Sequence, residues 1–408
     1  MNKLFHKILK RYLYIILTLI LVTNCSSNIN TEQTHQKDNA INVIDLAYAI
    51  ENTYEPLYLS DFVEDIEYIR PEYPATLVDF IFDISINDNY LLLEVRGKLL
   101  CYTRKGKFIH EIGRRGQGPK EHLGIRSHTL YNDLVAINSN YNRKILWYNT
   151  NGDYLHQTPV SNNVYKINLL DTNRIAIHLH HGASMDKPDI FVTGIIDNNG
   201  DTIQLKKDKP YYPKGMTPSP SLWSYNDTIR VLTCINDTVY SVTKNEILPA
   251  YIVNFGKYKV TREAFEDVRL LQDERSKYIQ SLSFCETSRY VLAMFQYDNK
   301  RWVAVYDKQA TEISAWSIKS ENVNKYGLLE GGGWINDIDG GAALIGFNSV
   351  SNDYFALNVQ PGDLKTQFIE NKKYISVKHP DKQQKLERFI HSLNDDENPI
   401  IILYKLKM

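Results

Sequence analysis

The chain has 408 residues, 43% of them hydrophobic and 12% aromatic, so it can bury a large core. With 47 Lys and Arg against 48 Asp and Glu its formal charge is -1. That balance excludes any argument from net charge for nucleic acid or an anionic membrane surface as partner.

Lys3, Lys7, Lys10 and Arg11 make a basic start, Tyr12 to Val22 is apolar apart from one Thr, and Val22-Thr23-Asn24-Cys25 ends the run. Such a run is too short to span a bilayer as a permanent helix, so residues 1–24 read as a secretory signal. Its last four residues resemble a bacterial lipobox. Cys25 is therefore the expected lipidation site, and the chain is expected to meet a membrane through that lipid. Residues 25–42 are polar, aromatic-free and unperiodic, as a flexible tether is, and 43–408 are the folded part. Cys101, Cys234 and Cys285 cannot pair completely and have no CxxC or zinc-type spacing, so they read as small buried residues of strands.

Phe62 to Ile69 mixes β-branched, aromatic and acidic residues as an early strand does. Phe80 to Ile86 and Tyr90 to Val95, split by Asn87-Asp88-Asn89, form a hairpin. Lys98 to Tyr102 leads through Gly106 into Phe108-Ile109. The stretch Glu111 to His122 carries Gly113, Gly116 and Gly118 before Pro119 and cannot continue a strand, so it crosses to a second unit. Gly116 and Gly118 are expected to need backbone angles closed to β-branched residues.

Lys144 to Tyr148, Asn149 to Gly152 and Asp153 to Leu155 repeat the Lys98 segment at an offset of 46. Fainter echoes follow at Phe191, Thr238, Trp302 and Tyr354, with turns at 106, 152, 200, 245, 310 and 362. A period of about 45 residues with several short strands is the signature of propeller blades. The fold class is all-β: a six-bladed β-propeller with four-stranded blades. An inserted helix at about 261–278, with Ala264, Phe265, Val268 and Leu271 on one face, fills the long interval before 310. A short C-terminal helix at about 381–393 carries Leu386, Phe389, Ile390 and Leu393. Ile400 to Tyr404 is a closing strand, expected to share a blade with the Phe62 strand and so remove exposed edges.

Gly106 to Ile109 through Gly113 to Glu121, together with Ser60 to Ile69, Asn398-Pro399 and the closing strand, resembles the six-bladed β-propeller lipoproteins of Bacteroides-type bacteria, relatives of NHL-repeat propellers. The resemblance spans nearly all of the mature chain and implies fold more than function. Surface-exported lipoproteins of such bacteria carry an acidic cluster beside the Cys, which is missing after Cys25. The expected address is the cell envelope, at the periplasmic face of the outer membrane.

Gly113 to Gly118 fits neither a Walker loop, because Pro119 follows, nor a dinucleotide fingerprint, because residue 121 is Glu. A tight crossover remains, in which backbone amides with Arg114 and Arg115, and Gln117 and Glu121 beside them, hold a carboxylate or phosphate at the propeller mouth. His178 and His180 share one face of a strand and are the candidate metal ligands, with Asp186 or Asp189 as a third; otherwise no cofactor is expected. Gly331-Gly332-Gly333-Trp334 with Asp337 and Asp339 is either a loop over a site, offering Trp as a stacking plane for sugar, or another blade junction. Thr202, Thr228 and Thr238 each follow Asp and precede Ile or Val, the short pattern of O-glycan acceptors. GxSxG and HExxH are both absent. The sequence favours a binding platform for an envelope protein or glycan, without nucleic acid. The alternative is a hydrolase or lyase acting on an envelope or dietary glycan through acidic or histidine residues.

Overall fold

The computed structural model describes residues 41–52, 55–72, 80–161, 163–179, 190–208, 221–233, 236–317, 333–343, 349–350 and 354–407. Their strands build six antiparallel sheets of four strands, one of which gains a fifth. First strands of neighbouring sheets lie side by side, so the sheets are the blades of a six-bladed propeller. Blade one runs Asp83–Ile86, Tyr90–Val95, Lys98–Thr103 and Phe108–Ile112, and blades two to five follow within 127–159, 164–208, 221–254 and 280–317. Blade six joins Ser349–Val350, Tyr354–Val359 and Ile400–Leu406 to the early strand Val63–Ile69. That early strand pairs antiparallel with the last one, Val63 opposite Leu406 and Ile69 opposite Ile401. The early strand and the last one close the ring, as expected.

The alternation of side chains explains why the blades need each other. On one strand of blade two, Ala136 packs toward blade three beside Ile167 and Ile177, while Val135 and Ile137 pack toward blade one beside Leu92 and Cys101. Both faces of the blade are apolar, so a single sheet would leave one wet. The repeated turns complete the contact. Gly106, Gly152 and Gly200 all take left-handed angles (φ 86°, 86° and 88°). A Cβ on Gly106 would lie 2.9 Å from the Arg70 carbonyl, and one on Gly200 2.5 Å from the Pro159 carbonyl, so these turns sit against the outer strand of the preceding blade.

The structure corrects two details. The insertion at 261–278 is two short helices, Arg262–Glu266 and Val268–Asp273, then a 3-10 turn Arg275–Lys277. Asp267 breaks them apart: it is extended, and its side chain accepts from the amides of Arg269 and Leu270, capping the second helix instead of continuing the first. Gly362 is not a blade turn but lies in a helix, Pro361–Tyr374, that buries Leu364, Gln367, Phe368 and Asn371 at helical spacing. The second of these helices spans Pro380–His391, close to its expected range, and buries Leu386 and Ile390. Two elements also precede the Phe62 strand: Asn42–Asp45 adds parallel to the outer strand of blade four, and helix Leu46–Asn52 buries Leu46, Ala49 and Ile50. Cys101 and Cys285 are buried, while Cys234 and Cys25 lie outside the described residues.

Candidate functional site

Strand direction decides which residues share a face of the propeller. Because strands in each blade alternate in direction, the starts of first strands, the turns between second and third strands, and the crossovers between blades all fall on one side. That crossover face holds a cavity of about 850 Å³ between blades one, two and three.

The Gly113 to His122 crossover forms one wall, and its geometry differs from the sequence expectation. Arg115 and His122 pair as an isolated bridge, with the His122 amide donating to the Arg114 carbonyl at 3.0 Å and the Gly116 amide to the His122 carbonyl at 3.0 Å. The amide of Gly118 donates to Glu121 Oε2 at 2.8 Å. The loop's own carboxylate thus occupies the anion nest proposed for a ligand, and Glu121 closes the loop. Gly113 alone of the three glycines takes a left-handed angle (φ 69°). At Gly116 a Cβ would lie 2.0 Å from Glu121 Oε2, so a side chain there would push that carboxylate from its place on the Gly118 amide. Blade two clamps the loop through Tyr148 Oη to the Lys120 carbonyl (2.7 Å) and Lys144 Nζ to the Pro119 carbonyl (2.9 Å). Arg114, Arg115 and Gln117 are exposed, and of these Arg115 lines the cavity.

Arg96, Arg126 and Lys166 join Arg115 around the cavity, against the two acidic groups Asp83 and Glu94. The Arg126 guanidinium lies over the Tyr165 ring, 4.5 Å from its centroid. Lys166 Nζ stands 3.9 Å from Asp83 Oδ2. Beneath Glu94, the buried His128 places Nδ1 3.6 Å from its Oε2. Burial, reinforced by the Arg115 charge, lowers the pKa of the equally buried His122. The sequence reading missed Arg96, Arg126, Tyr165 and Lys166. A usable signal existed, because Phe82, Arg126 and Tyr165 all sit where a first strand begins.

His178 is fully buried, opposite Lys166 in the sheet, and its Nδ1 lies 3.1 Å from the Thr193 hydroxyl. Among the described residues no three His, Cys, Asp or Glu side chains are grouped to hold a metal; His180, Asp186 and Asp189 lie outside those residues. Burial, and secondarily the Lys166 charge, pushes the His178 pKa down to about 3. Its proton therefore binds better to the unfolded chain, where the imidazole titrates near 6.5. Stability from the neutral ring is complete above that value and falls as pH drops toward 3. His178→Gln is expected to flatten the fall in unfolding free energy between pH 6 and 4.5 by as much as ~1.4 kcal/mol per unit. Parallel stability curves for the two proteins would show that the imidazole charges inside the fold.

Trp334 is not a stacking plane for a ligand. It is fully buried, edge-on to Phe62 with ring centroids 5.7 Å apart. Asp337 accepts from Ser60 N (3.0 Å) and Ser60 Oγ (2.6 Å) and pairs with Lys378 (3.1 Å), while Asp339 accepts from Asn336 Nδ2 (2.8 Å) and the Gly341 amide (2.9 Å). Burial raises the Asp339 pKa. Asp337 thus ties the last crossover to the turn before the outer strand of blade six and to Lys378, and Asp339 ties it to that strand by accepting from the Tyr68 hydroxyl at 3.1 Å; Gly331 and Gly332 lie outside the described residues. Of the threonines, Thr202 is exposed and Thr238 half-buried, while the Thr228 hydroxyl donates to the Tyr225 carbonyl.

With this architecture in hand, similar folds are recognisable. A protein of Bacteroides fragilis described as exported shares 19% identity with a TM-score of 0.64, over 90% of this chain and 100% of that one. A member of the DUF4221 family from Bacteroides vulgatus shares 10% identity with a TM-score of 0.48, over 85% of this chain and 97% of that one. No curated protein matches the sequence. The family model described as "Domain of unknown function (DUF4934)" matches residues 41–405, which is the whole propeller, and the chain belongs to that family.

Proposed function

We propose that the chain is a cell-envelope binding platform, held to the outer membrane by lipid on Cys25, whose working site is the cavity on the crossover face. The observation that carries this reading is the cavity's lining: Arg96, Arg115, Arg126 and Lys166 outnumber Asp83 and Glu94. Side chains from three blades converge there, which suits recognition of an anionic group on a protein or glycan. The basic and apolar start ending at Cys25 supports the address. No helix among the described residues is long and apolar enough to cross a membrane.

The test is the double variant Arg115→Ala/Arg126→Ala. Both side chains are exposed, so the melting temperature should stay within the effect of about 0.5 kcal/mol usual for surface changes. Charge-assisted hydrogen bonds contribute ~1.5–3 kcal/mol each, so affinity for an anionic ligand should fall roughly tenfold or more. The ligand is found by screening immobilised protein against anionic and neutral glycans and peptides. Undiminished affinity of the double variant for whatever the native chain binds would remove the cavity from the account.

A further inference from the structure

We infer that the ligand of this cavity is an oligosaccharide bearing uronic acids, an inference that rests on the cavity being the binding site. Three features of the lining select that chemistry. The first is the pairing of charge with aromatic planes. Phe82 is 61% exposed and Tyr141 is 75% exposed, and both line the cavity. Large rings held in water at a cavity rim have apolar faces still to cover, and the C–H face of a pyranose covers such a ring well.

Each ring touches a neighbour. Phe80 packs edge-on against Phe82 with ring centroids 4.8 Å apart, and the Phe82 amide donates to the Glu94 carbonyl at 2.9 Å. Tyr141 lies over Gly124, where a Cβ would come within 3.2 Å of the ring. A glycine at that position lets the ring lie close to the backbone of the crossover.

The second feature is the mixed sign of the polar lining. Asp83 and Glu94 stand among the cations, so a ligand made only of carboxylates would meet two like charges. A uronic acid avoids this conflict because each ring carries one carboxylate and several hydroxyls. The carboxylate is taken by Arg115, Arg126 or Lys166, while hydroxyl donors are accepted by Asp83 and Glu94. A neutral sugar would bring no anion to those cations.

The third feature is Arg126 itself. Its guanidinium carbon lies over the Tyr165 ring, 4.5 Å from the centroid, and a guanidinium presents its N–H groups along the plane of its fork. A planar carboxylate is the group such an edge reads bidentately.

Isothermal titration of the folded chain with oligogalacturonate, oligomannuronate and a hyaluronan fragment tests this, beside their carboxyl-reduced counterparts and oligoglutamate of similar length. We expect at least one uronate to bind roughly tenfold or more tightly than its reduced form. Phe82→Ala and Tyr141→Ala should each weaken it about tenfold without moving the melting temperature. Oligoglutamate bound as tightly as any uronate, sensitive to Arg115→Ala/Arg126→Ala but not to the aromatic variants, would overturn the uronate while leaving the cavity as the site. Equal binding of a reduced sugar would also overturn it, because the carboxylate would not be read. If all these probes stay silent while the ligand from the screen still depends on Arg115 and Arg126, the uronate is overturned and the site stands.

Discussion

A chain ended at Pro399 is expected not to reach the native fold. Strand Ile400–Leu406 lies inside blade six, with Tyr354–Val359 on one side and Val63–Ile69 on the other, so its loss removes two ladders at once. Its side chains also serve two cores. Ile400, Ile402, Tyr404 and Leu406 pack toward blade five, while Ile401 and Leu403 pack toward blade one. Each fully buried apolar side chain contributes about 1.5–3 kcal/mol, so six of them match the ~5–15 kcal/mol by which a typical domain is stable. Near-ultraviolet circular dichroism and size exclusion should report an expanded or aggregated chain with strand edges exposed. A truncated protein that melts cooperatively at the native temperature would mean that the ring closes by another route.

The second large effect is expected at Glu286, a fully buried carboxylate where blades four and five meet. Arg230 Nε donates to it at 2.9 Å, Lys308 Nζ at 3.2 Å, Tyr251 Oη at 2.6 Å and Trp223 Nε1 at 3.3 Å. Burial, followed by the carboxylate's charge, raises the Tyr251 pKa, so the phenol stays a donor. Glu286→Ala would leave the Arg230 and Lys308 charges largely buried with their shared partner gone, and breaking such a pair costs about 3–5 kcal/mol. Glu286→Gln keeps the size and an acceptor oxygen and should lose less. Denaturant midpoints order the three proteins. An alanine variant as stable as the native one would show that water reaches the two cations and that the network adds little.

How much of this was legible from the chain alone follows from the range of each interaction. Strand alternation, the glycine turns at 106, 152 and 200, and the crossover ending at Pro119 are set by residues next to one another, so periodicity and turn chemistry reveal them. Six repeats and a leftover strand at each end then imply a closed ring. The same logic misled at Gly362, where the repeat spacing suggested a turn although Pro361 with Leu364 and Phe368 already spelled a helix start. At Asp267 one capping side chain outweighed an apolar stripe that pointed to a single helix.

The site depended on contacts that local pattern does not encode. Arg114, Arg115 and Glu121 looked alike as candidates in sequence, yet Glu121 turns inward onto Gly118 while Arg115 lines the cavity. His178, read in sequence as half of a histidine pair able to hold a metal, is fully buried with its ring against the Thr193 hydroxyl. Phe82, Arg126 and Tyr165 share a place at the starts of first strands, which the repeat makes legible, but they stand on three different blades and only the ring brings them to a common cavity. Closure of the ring places the starts of first strands side by side on one face, and that placement alone turns dispersed arginines and aromatics into one site.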